Sequence, residues 1–125
     1  MKKIALACAF ALAMVSPAIA ADFRSGDWVL AQWQGAQYWF PGVVDDVRGN
    51  MITVRYDDGT TDQRPANQVR RYDWRVGSRV ECRWQSGDDW YPGRITGESK
   101  DGQTISVRYD DGDQEHTSTG KCRSR

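Results

Sequence analysis

Apolar and polar positions alternate in short runs along the chain, and the runs are bounded by turn residues. Trp28–Trp33 alternates and is rich in Val, Leu and Trp, which predicts a strand. Trp39–Val47 predicts a second, with Pro41-Gly42 near its start, where a proline is tolerated. Ile52–Tyr56 predicts a third. Asp57-Asp58-Gly59 is a hairpin signal, because Gly accepts positive φ and Asp tolerates it. Thr60–Arg64 then returns as a fourth strand, Pro65-Ala66-Asn67-Gln68 reads as one tight turn, and Val69–Arg71 as a short last strand. No segment shows a helical period.

The same pattern then occurs again. Phe23-Arg24-Ser25-Gly26 matches Trp74-Arg75-Val76-Gly77, and Trp33-Gln34 matches Trp84-Gln85. Trp39-Phe40-Pro41-Gly42 matches Trp90-Tyr91-Pro92-Gly93. Ile52–Gly59 matches Ile105–Gly112, with the register shifted by two residues, so the second copy has a longer loop near Lys100–Gln103. The second set of strands is predicted at Arg79–Trp84, Trp90–Thr96, Thr104–Tyr109, Asp113–Thr117 and Lys121–Arg123. Two copies are too few for a solenoid, whose units need several neighbours, so each copy is expected to close on itself. Five short strands with tight turns suit a small barrel, which removes exposed sheet edges. Only Arg71-Tyr72-Asp73 separates the copies, so the two barrels are expected to pack in a fixed relation.

The segment before the repeat changes the picture. Lys2 and Lys3 precede a short apolar run from Ile4 to Val15, Ser16-Pro17 breaks it, and Ala18-Ile19-Ala20 is a small-x-small site. This reads as a secretory signal cleaved after Ala20, rather than an uncleaved anchor, since the run is shorter than the ~20 residues a bilayer requires. Cys8 lies inside the apolar run, too early for a lipoprotein cysteine. The expected organisation is therefore a signal at 1–20, one barrel at 21–72 and a second at 73–125, in a periplasmic or secreted protein without membrane insertion after cleavage. Removing Lys2 and Lys3 leaves 15 basic against 17 acidic residues, a formal charge of −2. A near-neutral chain with no basic run is a poor candidate for a non-specific nucleic-acid binder, which relies on many phosphate contacts, so no nucleic-acid partner is expected.

Catalytic signals are nearly absent, and the chain reads as a non-enzyme that needs no cofactor. His116 is the sole histidine, on a polar strand, and its counterpart in the first copy is Gln63. No nucleophile has a credible base, and neither CxxC nor HExxH occurs. Asp110, Asp111, Asp113 and Glu115 fail the EF-hand spacing, and strand alternation would divide their oxygens between two faces, so no metal site is expected.

Trp33, then Phe40-Pro41-Gly42, then Val54-Arg55-Tyr56-Asp57-Asp58-Gly59 resembles a Tudor domain. Trp84, Tyr91-Pro92-Gly93 and Val107-Arg108-Tyr109-Asp110-Asp111-Gly112 resemble it equally, and the related Agenet and chromo-like barrels share the look. The resemblance covers nearly all of 23–123 and implies an all-β fold of two tandem five-stranded SH3-like, Tudor-type barrels. It also implies aromatic cages for methylated lysine or arginine. Carried over by position, one set would be Trp33, Phe40, Tyr56 and Asp58, and the other Trp84, Tyr91, Tyr109 and Asp111. Where many Tudor cages carry a further aromatic after the turn, this chain has Thr60 and Asp113, which leaves three rings per set. Ring faces attract cations by ~0.5–2 kcal/mol each, depending on desolvation. The same residues have plainer readings. Trp33 and Trp84 also suit core or edge positions, Tyr56 and Tyr109 also suit rings covering a hairpin, and the Asp-Asp-Gly runs also suit simple turns. Phe23, Trp28, Leu30, Val44, Val54 and Trp74 read as core or inter-barrel contacts.

Cys82 and Cys122 have Ala31 and Val69 as counterparts in the first copy. Those sit on first and last strands, which are neighbours in an SH3-type barrel, so a Cys82–Cys122 disulfide is expected in an oxidising compartment. The function expected is binding of a peptide or protein partner or a small methylated or quaternary cationic ligand. The alternative is a cell-envelope accessory protein that binds peptidoglycan or a partner protein through SH3-like surfaces.

Overall fold

The computed structural model describes residues 22–125; the predicted signal segment lies outside them. Strands β1 (Trp28–Gln32), β2 (Trp39–Arg48), β3 (Met51–Tyr56), β4 (Thr61–Pro65) and β5 (Val69–Arg71) form one sheet in the order β4-β3-β2-β1-β5. Strands β6 (Arg79–Arg83), β7 (Trp90–Glu98), β8 (Thr104–Tyr109), β9 (Gln114–Ser118) and β10 (Cys122–Arg123) repeat it in the order β10-β6-β7-β8-β9. All neighbouring strands are antiparallel. The fold is all-β, two five-stranded SH3-like barrels in tandem.

The long second strand of each barrel makes the curl. The first half of β2 pairs with β1 and its remainder with β3. A bulge between Val44 and Asp46, repeated between Ile95 and Gly97, bends the strand between these duties. Gly42 explains the repeated Pro-Gly pair: a Cβ there would lie 2.7 Å from the Arg55 carbonyl oxygen, and one at Gly93 would lie 2.7 Å from that of Arg108. Only glycine lets the strands cross this closely.

Inward-facing alternate residues fill each core. Phe23, Val29, Val44, Ile52, Val54 and Val69 are buried in the first, and Trp74, Val80, Ile95, Ile105 and Val107 in the second. Leu30 points the other way and joins the second barrel's cluster. Strand β1 is thus buried on both faces, which explains the unbroken apolar run Val29-Leu30-Ala31. Trp28 is 45% exposed and so is no core residue, yet it does bridge the barrels, since the longer β7–β8 loop brings Gly102 against its ring.

The barrels meet along the end of β10. Trp39 and Ser124 exchange two backbone hydrogen bonds of 2.8 and 3.0 Å, and the indole of Trp74 donates to the Ser124 hydroxyl at 3.2 Å. The Arg123 guanidinium lies 3.6 Å from the ring centre of Tyr38 and 4.2 Å from that of Trp90. It also pairs with Glu81 at 3.0 Å. The expected disulfide joins Cys82 to Cys122, directly opposite each other on β6 and β10. Ala31 and Val69 face each other at the same register of the first barrel.

Candidate functional site

Three strand ends converge at one rim of the second barrel. Trp84 follows β6 at the head of a 3-10 turn (Trp84–Ser86), Tyr91 is the second residue of β7, and Tyr109 is the last of β8. Trp84 and Tyr91 both meet Tyr109 edge-on, with ring centres 5.7 and 6.5 Å away. These rings and Pro92, together with Asp110, Asp111 and Asp113 of the hairpin, line a cleft of about 390 Å3. Tyr91 is 44% exposed, so the cleft is open to solvent.

The acids differ in their duties. Asp110 is gripped by both terminal nitrogens of Arg79, at 2.8 and 2.9 Å, and these bonds hold its carboxyl below the usual aspartate range. Asp111 accepts the Asp113 N–H at 2.9 Å, which closes the hairpin turn. It serves the turn and the cleft together. With one arginine against three carboxylates, the cleft favours a cation.

Glu115, from β9, holds the aromatic wall in place. It accepts the Tyr109 hydroxyl at 2.5 Å and the backbone N–H of Gln85, next to Trp84, at 3.2 Å. Burial, then the bond to Glu115, pushes the Tyr109 phenol far above its ordinary range, so the hydroxyl stays protonated and donating. The N–H it captures belongs to Gln85 at φ 51°, a left-handed conformation that an L-residue adopts at a cost. The first barrel repeats the device with Asp62, which accepts the Gln34 N–H at 2.8 Å and lies 3.5 Å from the Tyr56 hydroxyl. Sequence reasoning weighed Glu115 only as a metal ligand and passed over Asp62. The signal was an acid six residues after the tyrosine in each copy.

The first barrel also gathers its predicted residues, but in different surroundings. Phe40 meets Trp33 and Tyr56 edge-on at 6.3 and 6.4 Å. It also meets Trp90 of the second barrel at 6.0 Å. Asp58 accepts the N–H and the hydroxyl of Thr60, at 2.9 and 2.7 Å. The Thr119 hydroxyl, from the second barrel, donates to Asp57 at 2.5 Å. Behind it Gly120 sits so close that a Cβ would lie 2.9 Å from the Asp57 carbonyl carbon. Pro41 is consequently buried, whereas Pro92 is exposed. The second barrel therefore covers the Phe40–Asp57 side of the first ring cluster, and Trp33, 40% exposed, is left at its edge. Trp90 and Thr119 were not singled out from sequence, because the repeat made the two ring sets look equivalent.

No protein-family model matches the chain, and no curated protein does. Among solved structures, the chain is similar to the tandem Agenet domain 3-4 of ADCP1, at 18% identity and a TM-score of 0.37, over 85% of this chain and 83% of that one.

Proposed function

We propose that the protein is a non-enzymatic binding module whose second barrel takes a cationic group, a methylated or quaternary ammonium on a peptide or small ligand. The observation that carries this reading is the open cleft lined by Trp84, Tyr91 and Tyr109 together with three aspartates. Ring faces and carboxylates both attract a cation, and a methylated ammonium loses its water more readily than a bare one. The first barrel does not share the task, because Trp90, Thr119 and Gly120 lie over its equivalent side. The reading places the protein in the periplasm or outside the cell after signal cleavage; the Cys82–Cys122 bridge supports an oxidising compartment.

The test is a tryptophan-fluorescence titration with choline and a trimethyl-lysine peptide, with unmethylated lysine as control. Saturable quenching by the methylated cations is expected, lost in Trp84→Ala and retained in Trp33→Ala. A flat response rejects the cation site, and the search then turns to peptidoglycan fragments. Equal loss in both variants would show that the first barrel is in use.

A further inference from the structure

Four arginines converge on the seam between the barrels. Arg70, Arg75, Arg79 and Arg125 line a hollow of about 210 Å3, in which Asp73 is the sole acid. The sequence as a whole has as many acids as bases, so this grouping does not follow from a basic composition. We infer that the hollow is a site for a tetrahedral oxyanion, a phosphate or phosphate monoester.

The charges there are incompletely matched. Arg79 is held by Asp110, and Arg125 reaches Glu81 at 3.4 Å, a carboxylate already paired with Arg123. Among the described residues neither Arg70 nor Arg75 has a carboxylate partner. The Arg70 guanidinium lies 4.2 Å over the Trp39 ring, which fixes its plane, and its Nε is buried with no acceptor. The Nε is closed off from solvent, so an anion in the hollow would meet Arg70 at its terminal nitrogens, which have no carboxylate partner among the described residues.

Two hydroxyls complete the donor set. Ser78 Oγ accepts the Arg75 N–H at 3.0 Å, and Ser124 Oγ accepts the Trp74 indole N–H at 3.2 Å. Each hydroxyl proton therefore remains to be donated, and both serines line the hollow. A phosphate accepts from several directions at once and matches guanidinium forks two bonds at a time. A planar carboxylate would use one fork and leave the rest unmatched. Arg70 comes from β5 and Ser124 follows β10, so the donor set is complete only when the barrels are docked. The site touches the aromatic cleft at one point, since Arg79 lines the hollow and holds Asp110 of the cleft.

The test is thermal unfolding of the oxidised protein with increasing inorganic phosphate, ionic strength being held constant with sodium chloride. A saturable rise in Tm is expected. Arg75→Gln, whose side chain has no ionic partner among the described residues, should keep the Tm of the parent without phosphate and bind phosphate about tenfold or more weakly, the cost of one charge-assisted hydrogen bond. Glycerol phosphate tests the source: a response equal to that of phosphate assigns an esterified ligand, and phosphate alone assigns the free ion. No rise beyond the chloride control, an unchanged response in Arg75→Gln, or acetate acting as well as phosphate would each overturn the assignment.

Discussion

Asp57 and Asp110 occupy the same position in the two barrels and live in opposite surroundings. Asp57 lies under the second barrel and accepts the Thr119 hydroxyl, whereas Asp110 faces solvent and holds Arg79. Burial raises the Asp57 pKa, in spite of the hydrogen bond that opposes it. A carboxyl whose folded pKa is raised contributes stability below its unfolded pKa and loses it as pH rises through the folded value. Asp57→Asn keeps an acceptor for Thr119 and does not titrate. Relative to this variant, the wild type should therefore be most stable in acid, and the difference should decline as pH rises from the ordinary aspartate range, ~3.9, through the raised value. Urea denaturation of both proteins across that range reads the difference; a gap that widens toward neutral pH in favour of wild type would contradict it.

Gly120 should be the most sensitive position of the interface. A side chain there meets the backbone of Asp57 and Asp58 at 2.9–3.0 Å, and backbone cannot move aside as a flexible side chain does. Gly120→Val is expected to cost ~1–3 kcal/mol and to separate the covering turn from the first barrel. Iodide quenching should then reach Trp90 more readily, and a second, weaker equivalent of a methylated cation should bind. Unchanged quenching would mean that the contact tolerates the added bulk.

Replacing Glu115 should loosen the aromatic wall without touching a ring. Glu115→Ala leaves the Tyr109 hydroxyl and the Gln85 N–H without their acceptor, for a loss of ~1–3 kcal/mol. Glu115→Gln keeps an acceptor oxygen and should recover part of it. Equilibrium denaturation measures the stability, and near-ultraviolet circular dichroism follows the packing of Trp84 on Tyr109. Equal effects of the two variants would indicate that charge, not hydrogen bonding, is what matters.

The disulfide spans 40 residues, and reducing it should lower stability by ~4 kcal/mol on a loop-closure argument. The double variant Cys82→Ala/Cys122→Val copies the apolar pair of the first barrel and should lose less than the reduced protein, because it keeps the pair packed. Chemical denaturation of the three forms decides this. A double variant as weak as the reduced chain would show that Ala31 and Val69 do not fill the same place.

Most of the strand framework was legible in the sequence. Alternation marked the strands to within a residue or two, and the Asp-Asp-Gly turns fixed the hairpins, because both signals depend on neighbours along the chain. The cysteine pair was legible because the repeat supplied Ala31 and Val69 as its counterparts. The three-residue link implied that the barrels dock, but the contacts of that docking were not legible, since they join residues far apart in sequence, such as Thr119 and Asp57. Its trace lies where the copies differ. Leu30 stands where the second copy has Glu81, Trp28 where it has Arg79, and Asn67 where it has Gly120. The matched residues built each barrel, and these mismatched ones help to join the pair.

The Trp39–Ser124 backbone bridge also has a consequence for synthesis. Ser124 directly follows β10, the strand that closes the second barrel, so the contact forms only after nearly the whole repeat has been made. On a chain that emerges from its N-terminal end, all five strands of the first barrel are present before Trp90, Thr119 and Gly120 follow. During that interval Phe40 and Pro41 are uncovered, and the growing protein displays a sticky apolar face that the finished protein hides.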